Sequence, residues 1–206
     1  LVDKGLAAYK EEGIEAHGYV CDVTNEDAVN EMVGKIEKEV GVVDILVNNA
    51  GVGYYGLHEE LNPDKIKAMV RTNLEAPMIL TQQLLRQLKK NRGYVINIAS
   101  VTAKESNPHG CAYGAAKAGL AGFSRSLFAE TRKYGVKVVT IYPDMTQTNL
   151  YRNADFKEGE EAESYLLPEE VADAVEYALS QREGAVVTEI TVSPQIRRIR
   201  RKLRGV

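Results

Sequence analysis

Short apolar runs rich in Val and Ile alternate along the chain with stretches in which apolar residues recur every three or four positions. The first pattern predicts strands and the second amphipathic helices, and their alternation predicts a parallel sheet wrapped by helices. Strands are expected at residues 16–21, 44–47, 94–99, 136–142 and 185–192. Most are continuous apolar runs, as strands buried on both faces must be. A helix capped by Thr24, with Asp27 three residues on, aligns Ala28, Val29, Met32, Val33, Ile36 and Val40 and stops at Gly41. Asn62-Pro63 opens a long helix carrying Ile66, Met69, Val70, Leu80, Leu84 and Leu88 and ending at Gly93. A third helix covers 112–133, with Leu120, Phe123 and Leu127 inward, and a fourth begins at Pro168 and buries Val171, Ala174, Val175 and Ala178.

Two segments depart from this pattern. Residues 152–164 are acidic and poor in apolar side chains, which predicts a mobile loop. The opening, 1–9, reads as a helix that feeds the strand at Ala16 directly. A doubly wound nucleotide-binding sheet opens instead with a strand, a Gly-rich turn and a helix. Position 1 is Leu, not Met, and the expectation is a reading frame that starts upstream.

The 206 residues suffice for one domain with a sizeable core, so residues 1–206 are read as a single domain. With 44% hydrophobic and 27% charged residues and a net charge of -3, the chain offers no electrostatic case for nucleic acid or membrane. No apolar run approaches the ~20 residues of a membrane helix. Cys21 and Cys111 are far apart and the histidines form no ligand pair, which predicts a reducing, cytoplasmic setting without a disulfide framework or structural metal. The basic run Arg197, Arg198, Arg200, Arg201, Lys202, Arg204 is expected to be solvated or packed at an interface, with an acidic partner such as a carrier protein as the other reading.

Candidate chemistry centres on Tyr113 and Lys117, one helical turn apart on one face. A nearby ammonium ion favours the phenolate and pulls the tyrosine below its ordinary value of about 10. Such a tyrosine can protonate a carbonyl oxygen or deprotonate an alcohol. The pair alone says little: about 0.7 Tyr-x-x-x-Lys pairs arise by chance in this composition, and a salt-bridged surface helix explains one equally well. Ser100 sharpens the case, because it stands at the end of a predicted strand, 13 residues before Tyr113. Open α/β sheets place ligands at such ends, and a chance pairing at that offset falls to roughly 0.03. Asn73 lies within a helix, where Asn is a poor former, and so calls for a specific polar partner. Asn48-Asn49-Ala50-Gly51 follows a strand and suits either a ligand's close approach or a plain turn.

Taken together, Cys-Asp-Val-Thr at 21–24, Asn-Asn-Ala-Gly at 48–51, Thr-Asn-Leu at 72–74, Ile-Ala-Ser at 98–100 and Tyr-Gly-Ala-Ala-Lys at 113–117 resemble the short-chain dehydrogenase/reductase family in order and spacing. The resemblance implies a Rossmann-like doubly wound parallel sheet with helices on both faces, here missing its first two strands. It implies NAD or NADP as cofactor and hydride transfer between that cofactor and a secondary alcohol/ketone pair. Tyr113 would be the acid/base, Lys117 would tune it and bind the nicotinamide ribose, Ser100 would orient the substrate oxygen, and Asn73 would hold a water leading from Lys117 to solvent. Asp22 and Val23 would contact the adenine, and Asn49, Ala50 and Gly51 would line the adenosine side. Pro143, Thr146 and Thr148 would lie beside the nicotinamide.

Within the family, residues 1–51 look most like gluconate 5-dehydrogenases, and the remainder resembles ketone reductases of the 3-oxoacyl-carrier-protein reductase type. Two features depart from the family. Its Gly-rich pyrophosphate turn has no counterpart, a gap of about 30–45 residues. Its Pro-Gly is Pro143-Asp144 here, where the aspartate strains the turn, repels phosphate or points to solvent. The expected partners are a small carbonyl or alcohol substrate and further copies of the chain. The alternative is a non-catalytic remnant or oligomer partner unable to bind the cofactor's pyrophosphate.

Overall fold

The computed structural model describes residues 2–202 and divides into two compact units, Leu1–Val43 and Asp44–Val206. The first holds helices α1 (Val2–Glu11) and α2 (Glu26–Glu39). Residues 16–21 between them are not a strand: they join no ladder, and Val20 is 93% exposed. A strand needs a hydrogen-bonded neighbour to satisfy its backbone, and apolar content alone does not supply one. The cap of α2 also falls one residue later than expected. Asn25 accepts from the Ala28 N–H at 3.1 Å, whereas the Thr24 hydroxyl turns away from the helix and donates to Asp22 Oδ1 at 2.8 Å.

The second unit is built on four parallel strands, β1 (Ile45–Asn48), β2 (Tyr94–Ile98), β3 (Lys137–Pro143) and β5 (Glu189–Val192), in that spatial order. The register pairs Leu46 with Val95, Ile96 with Val139 and Ile141 with Ile190. The expected strand at 185–192 is therefore only its last four residues. Strand alternation sends β3 side chains to opposite faces. Val139 and Ile141 pack with Ile96 against Ala174 and Ala178 of helix α6 (Pro168–Leu179), while Tyr142 clusters with Ala99, Val101 and Ala121 of helix α5 (Cys111–Thr131). Helices thus cover both faces. β1 pairs on one side only among the described residues, and Ile45 and Val47 stay 43% and 44% exposed.

The long helix opened by Asn62-Pro63 forms as α3 (Pro63–Val70) and α4 (Ala76–Asn91), joined by one π-helical segment, Arg71–Glu75. Pro77 has no N–H for the carbonyl of Asn73 four residues earlier, so the α register cannot hold there and the turn widens. The fully buried Asn73 sits in that widened turn.

The acidic segment was expected to be a mobile loop and the basic tail to be solvated or packed at an interface; the two bind each other. β4 (Phe156–Glu158) pairs antiparallel with β6 (Ile199–Arg201). Around that ladder Arg198 meets Glu161 and Arg200 meets Glu160, while Lys202 Nζ donates to the Tyr151 carbonyl at 2.6 Å. Each segment alone is too charged to order itself; opposite charge brings them together and the ladder satisfies both backbones. Arg204 lies outside the described residues.

Gly93, between α4 and β2, offers a direct test of how the sheet is seated. A Cβ there would stand 2.3 Å from the Asp44 carbonyl oxygen, backbone that cannot move aside without shifting β1. Gly93→Ala should cost about 1–3 kcal/mol of stability, read as a lower urea midpoint at unchanged slope.

Candidate active site

Ser100, Tyr113 and Lys117 meet at the carboxyl end of the sheet. Ser100 follows β2 and caps a short 3₁₀ turn, Val101–Ala103, accepting from the Thr102 N–H at 3.3 Å and the Thr102 hydroxyl at 3.0 Å. Both acceptor sites are engaged and its proton is left to give toward Tyr113, whose phenolate form it favours. The two readings of Ser100, cap and oxygen-binding hydroxyl, are compatible. Tyr113 and Lys117 stand in the first two turns of α5, 3% and 4% exposed. Small residues around them let the helix approach closely: a Cβ on Gly114 would come within 3.2 Å of the Thr102 carbonyl oxygen.

Burial dominates the electrostatics of this pair. It holds the Tyr113 hydroxyl well above its ordinary range, reinforced by Tyr151 and only partly offset by the Ser100 hydrogen bond. It pushes the Lys117 amine down to about 8. Lys117 Nζ lies 5.9 Å from the centre of the Tyr113 ring and donates to the Ile98 carbonyl at 2.7 Å. In this arrangement Tyr113 is a neutral proton donor, and Lys117 is anchored to the strand that carries Ser100.

Asn73 finds the partner its helical position called for. Its Oδ1 accepts from the Val52 N–H at 2.9 Å and its Nδ2 donates to the Val52 carbonyl at 2.8 Å. This two-point clasp fixes the loop after β1, and a Cβ on Gly51 would be 3.5 Å from Asn73 Oδ1 and 3.8 Å from Lys117 Nζ. Asn49, Ala50 and Gly51 are exposed, but Asn48 is not. Its Nδ2 donates to Asn97 Oδ1 at 2.7 Å, and Asn97 in turn donates to the Ser124 hydroxyl at 2.8 Å, a buried polar chain from β1 through β2 to α5. Lys117 has spent one of its three protons, and the side-chain-free opening at Gly51 lies beside it, a donor set that suits the hydroxyls of a ribose. Asp22 and Val23 belong to the N-terminal unit, where Thr24 occupies the Asp22 carboxylate and lowers its pKa through backbone and side-chain hydrogen bonds.

Pro143-Asp144 ends β3. Asp144 has no positive φ, so the turn carries no backbone strain of that kind. Nor does the carboxylate face solvent: it is 17% exposed, Oδ1 accepts from the Met145 N–H at 2.8 Å, and Oδ2 lies 3.3 Å from Arg197 Nε without a hydrogen bond. The arginine compensates its charge. Thr146 donates to the Asp144 carbonyl at 2.9 Å, and Thr148 caps the 3₁₀ turn Asn149–Asn153.

A cavity of about 310 Å³ opens beside Ser100 and Tyr113. Its other walls include residues that local sequence patterns did not single out. Tyr55 packs against Tyr113 at 5.6 Å, Phe156 at 5.0 Å and Tyr151 at 6.1 Å between ring centres. His109, with φ of +64°, lines the same space, and its carbonyl accepts from Gly56 N–H at 2.8 Å. These residues come from separate loops and no periodicity links them. The left-handed backbone at His109 is a property of the fold, which the sequence does not show.

Comparison with known proteins agrees with this geometry. The short chain dehydrogenase family model matches residues 2–159. A Streptomyces coelicolor protein designated a ketoacyl reductase is 30% identical, covering 89% of this chain and 78% of its own. The 2-dehydro-3-deoxy-D-gluconate 5-dehydrogenase of Formosa agariphila is 36% identical over 149 residues, 72% of this chain and 56% of that protein. Among solved structures, an alcohol dehydrogenase from Thermococcus sibiricus complexed with 5-hydroxy-NADP superposes with a TM-score of 0.84 at 26% identity, covering 93% of this chain and 80% of that one. The chain belongs to the short-chain dehydrogenase family of oxidoreductases.

Proposed function

We propose that the chain catalyses hydride transfer between NAD or NADP and a small secondary alcohol/ketone pair, as one domain of a cytoplasmic homo-oligomer. The observation that carries this reading is that Ser100 and Tyr113 stand together on the wall of one aromatic-lined cavity, with Lys117 buried one turn away. The nicotinamide supplies or accepts the hydride. Everything else is proton and position. In the reducing direction the substrate carbonyl oxygen sits between two hydroxyls, Ser100 polarising it and Tyr113 giving up its proton as the alkoxide forms. The raised pKa of Tyr113 keeps that proton in place until charge develops on the oxygen. A protonated Lys117 then stabilises the phenolate left behind, and Asn73 keeps the floor of the site fixed through Val52.

In this reading Lys117 and Gly51 would hold the nicotinamide ribose, with Asn49 and Ala50 on the adenosine side. Pro143, Thr146 and Thr148 would lie beside the nicotinamide. Asn73 would also hold the water that leads from Lys117 to solvent.

Tyr113→Phe keeps the ring packing against Tyr55 and removes only the proton. It should lower kcat for ketone reduction at least ~10²-fold and leave cofactor affinity nearly unchanged, measured by stopped-flow turnover and by titration with NADPH. Retained turnover would remove Tyr113 from the reaction.

The pH dependence follows from Lys117. Its folded-state pKa is near 8, so the cation is present below that value and lost above it. Support for the phenolate disappears with the charge, and the reduction rate should fall as pH rises through about 8. A kcat profile that is flat across that point would show that Lys117 does not assist Tyr113.

A further inference from the structure

Four tail arginines fall among the described residues, and three have carboxylate partners. Arg197 forms a two-point pair with Glu105 at 2.8 and 2.9 Å, Arg198 binds Glu161, and Arg200 binds Glu160. Arg201 has no ion pair among the described residues. Strand alternation explains the difference. On β6, Ile199 and Arg201 share one face, and both line the cavity that holds Ser100 and Tyr113; Arg198 and Arg200 fall on the other, against the acidic segment. The cross-strand partner of Arg201 is Phe156, which lines the same cavity.

The acidic groups around the cavity are Asp144 and Asp155. Asp144 is compensated by Arg197 at 3.3 Å. Asp155 stands on the same wall as Arg201 without pairing to it, its backbone carbonyl taken by the Lys202 N–H at 2.6 Å. Among the described residues the Arg201 guanidinium, beside an apolar aromatic wall, is a donor fork with no carboxylate bound to it. Its geometry matches a carboxylate through two parallel N–H···O bonds.

We infer that Arg201 is a specificity-determining residue that binds a carboxylate of the substrate, so that the substrate class is a small hydroxy or keto monocarboxylate. The inference rests on the proposed hydride-transfer site and adds to it the identity of the group at its far wall. A carboxylate held by Arg201 leaves the rest of a chain-like substrate to reach the two hydroxyls, and Asp155 is placed to accept hydrogen bonds from its alcohol groups. The roughly 310 Å³ available suits a compound of this size, at the small end of ligand pockets.

Binding, measured apart from turnover, tests this. Isothermal titration of the full chain, Arg201→Met and Arg201→Lys would use two matched pairs of probes, D-gluconate against sorbitol and acetoacetate against its methyl ester. The unaltered chain should bind at least one acid ~10-fold or more tighter than its neutral counterpart. Arg201→Met should erase that preference while leaving the neutral probe within twofold. Arg201→Lys should keep part of it, because a point charge replaces the fork. Should Arg201→Met fail to match the thermal unfolding of the unaltered chain, Arg201→Gln takes its place. Equal binding of acid and neutral probe in both pairs, or a preference that survives the loss of the charge, would overturn the inference. Failure of the hydride-transfer reading would show separately, as absence of Tyr113-dependent turnover in a chain that still prefers acids.

Discussion

The buried amine of Lys117 is the constraint around which the second unit is organised. A side chain that ends in an ammonium group resists burial unless it is met by an acceptor, and here the Ile98 carbonyl meets it at 2.7 Å. That bond ties α5 to the end of β2, so the helix bearing Tyr113 and the strand leading to Ser100 cannot drift apart. The same burial lowers the amine to about 8 and raises the tyrosine. Position and protonation state thus have one cause.

Beneath this anchor lies a second layer of polar contacts that the apolar sheet core would otherwise exclude. Asn48, Asn97 and Ser124 pass hydrogen bonds from β1 across β2 into α5. Asn73 holds Val52 from the widened turn of the neighbouring helix. Each amide fixes a segment that follows or flanks a strand's carboxyl end. The strands supply the direction and the amides the register, while Tyr113 and Lys117 stand at the start of α5 and Ser100 on the turn after β2.

The outer wall of the cavity is made differently, by charge. The acidic stretch after β3 and the basic tail neutralise one another on one face of the β4–β6 ladder, leaving Phe156, Ile199 and Arg201 on the other. The Asp144 carboxylate is drawn into the same arrangement through Arg197. Where the family pattern has a glycine, this chain therefore places a negative charge together with its own counter-ion.

The sequence by itself determined what depends on near neighbours. Apolar runs located four of the five expected strands to within a few residues, helical stripes located α2, α5 and α6, and the Ser100, Tyr113, Lys117 spacing picked out residues that the fold brings together, because a helical turn and a strand end are local geometry. The run at 16–21 misled for the complementary reason: a strand is a property of two segments, and an apolar run cannot certify its neighbour. The π turn at Arg71–Glu75 was legible in principle from Pro77, yet its consequence, a buried clasp between Asn73 and Val52, joins residues 21 apart. Only the tertiary structure decided the cavity. Tyr55, His109, Tyr151 and Arg201 are brought together from loops and a terminal strand with no common period, and the pairing of acidic segment with basic tail is a long-range charge match. Local pattern fixes which residues are helical, extended or reactive; which of them share a cavity is set by how distant segments satisfy one another's charges and backbone groups.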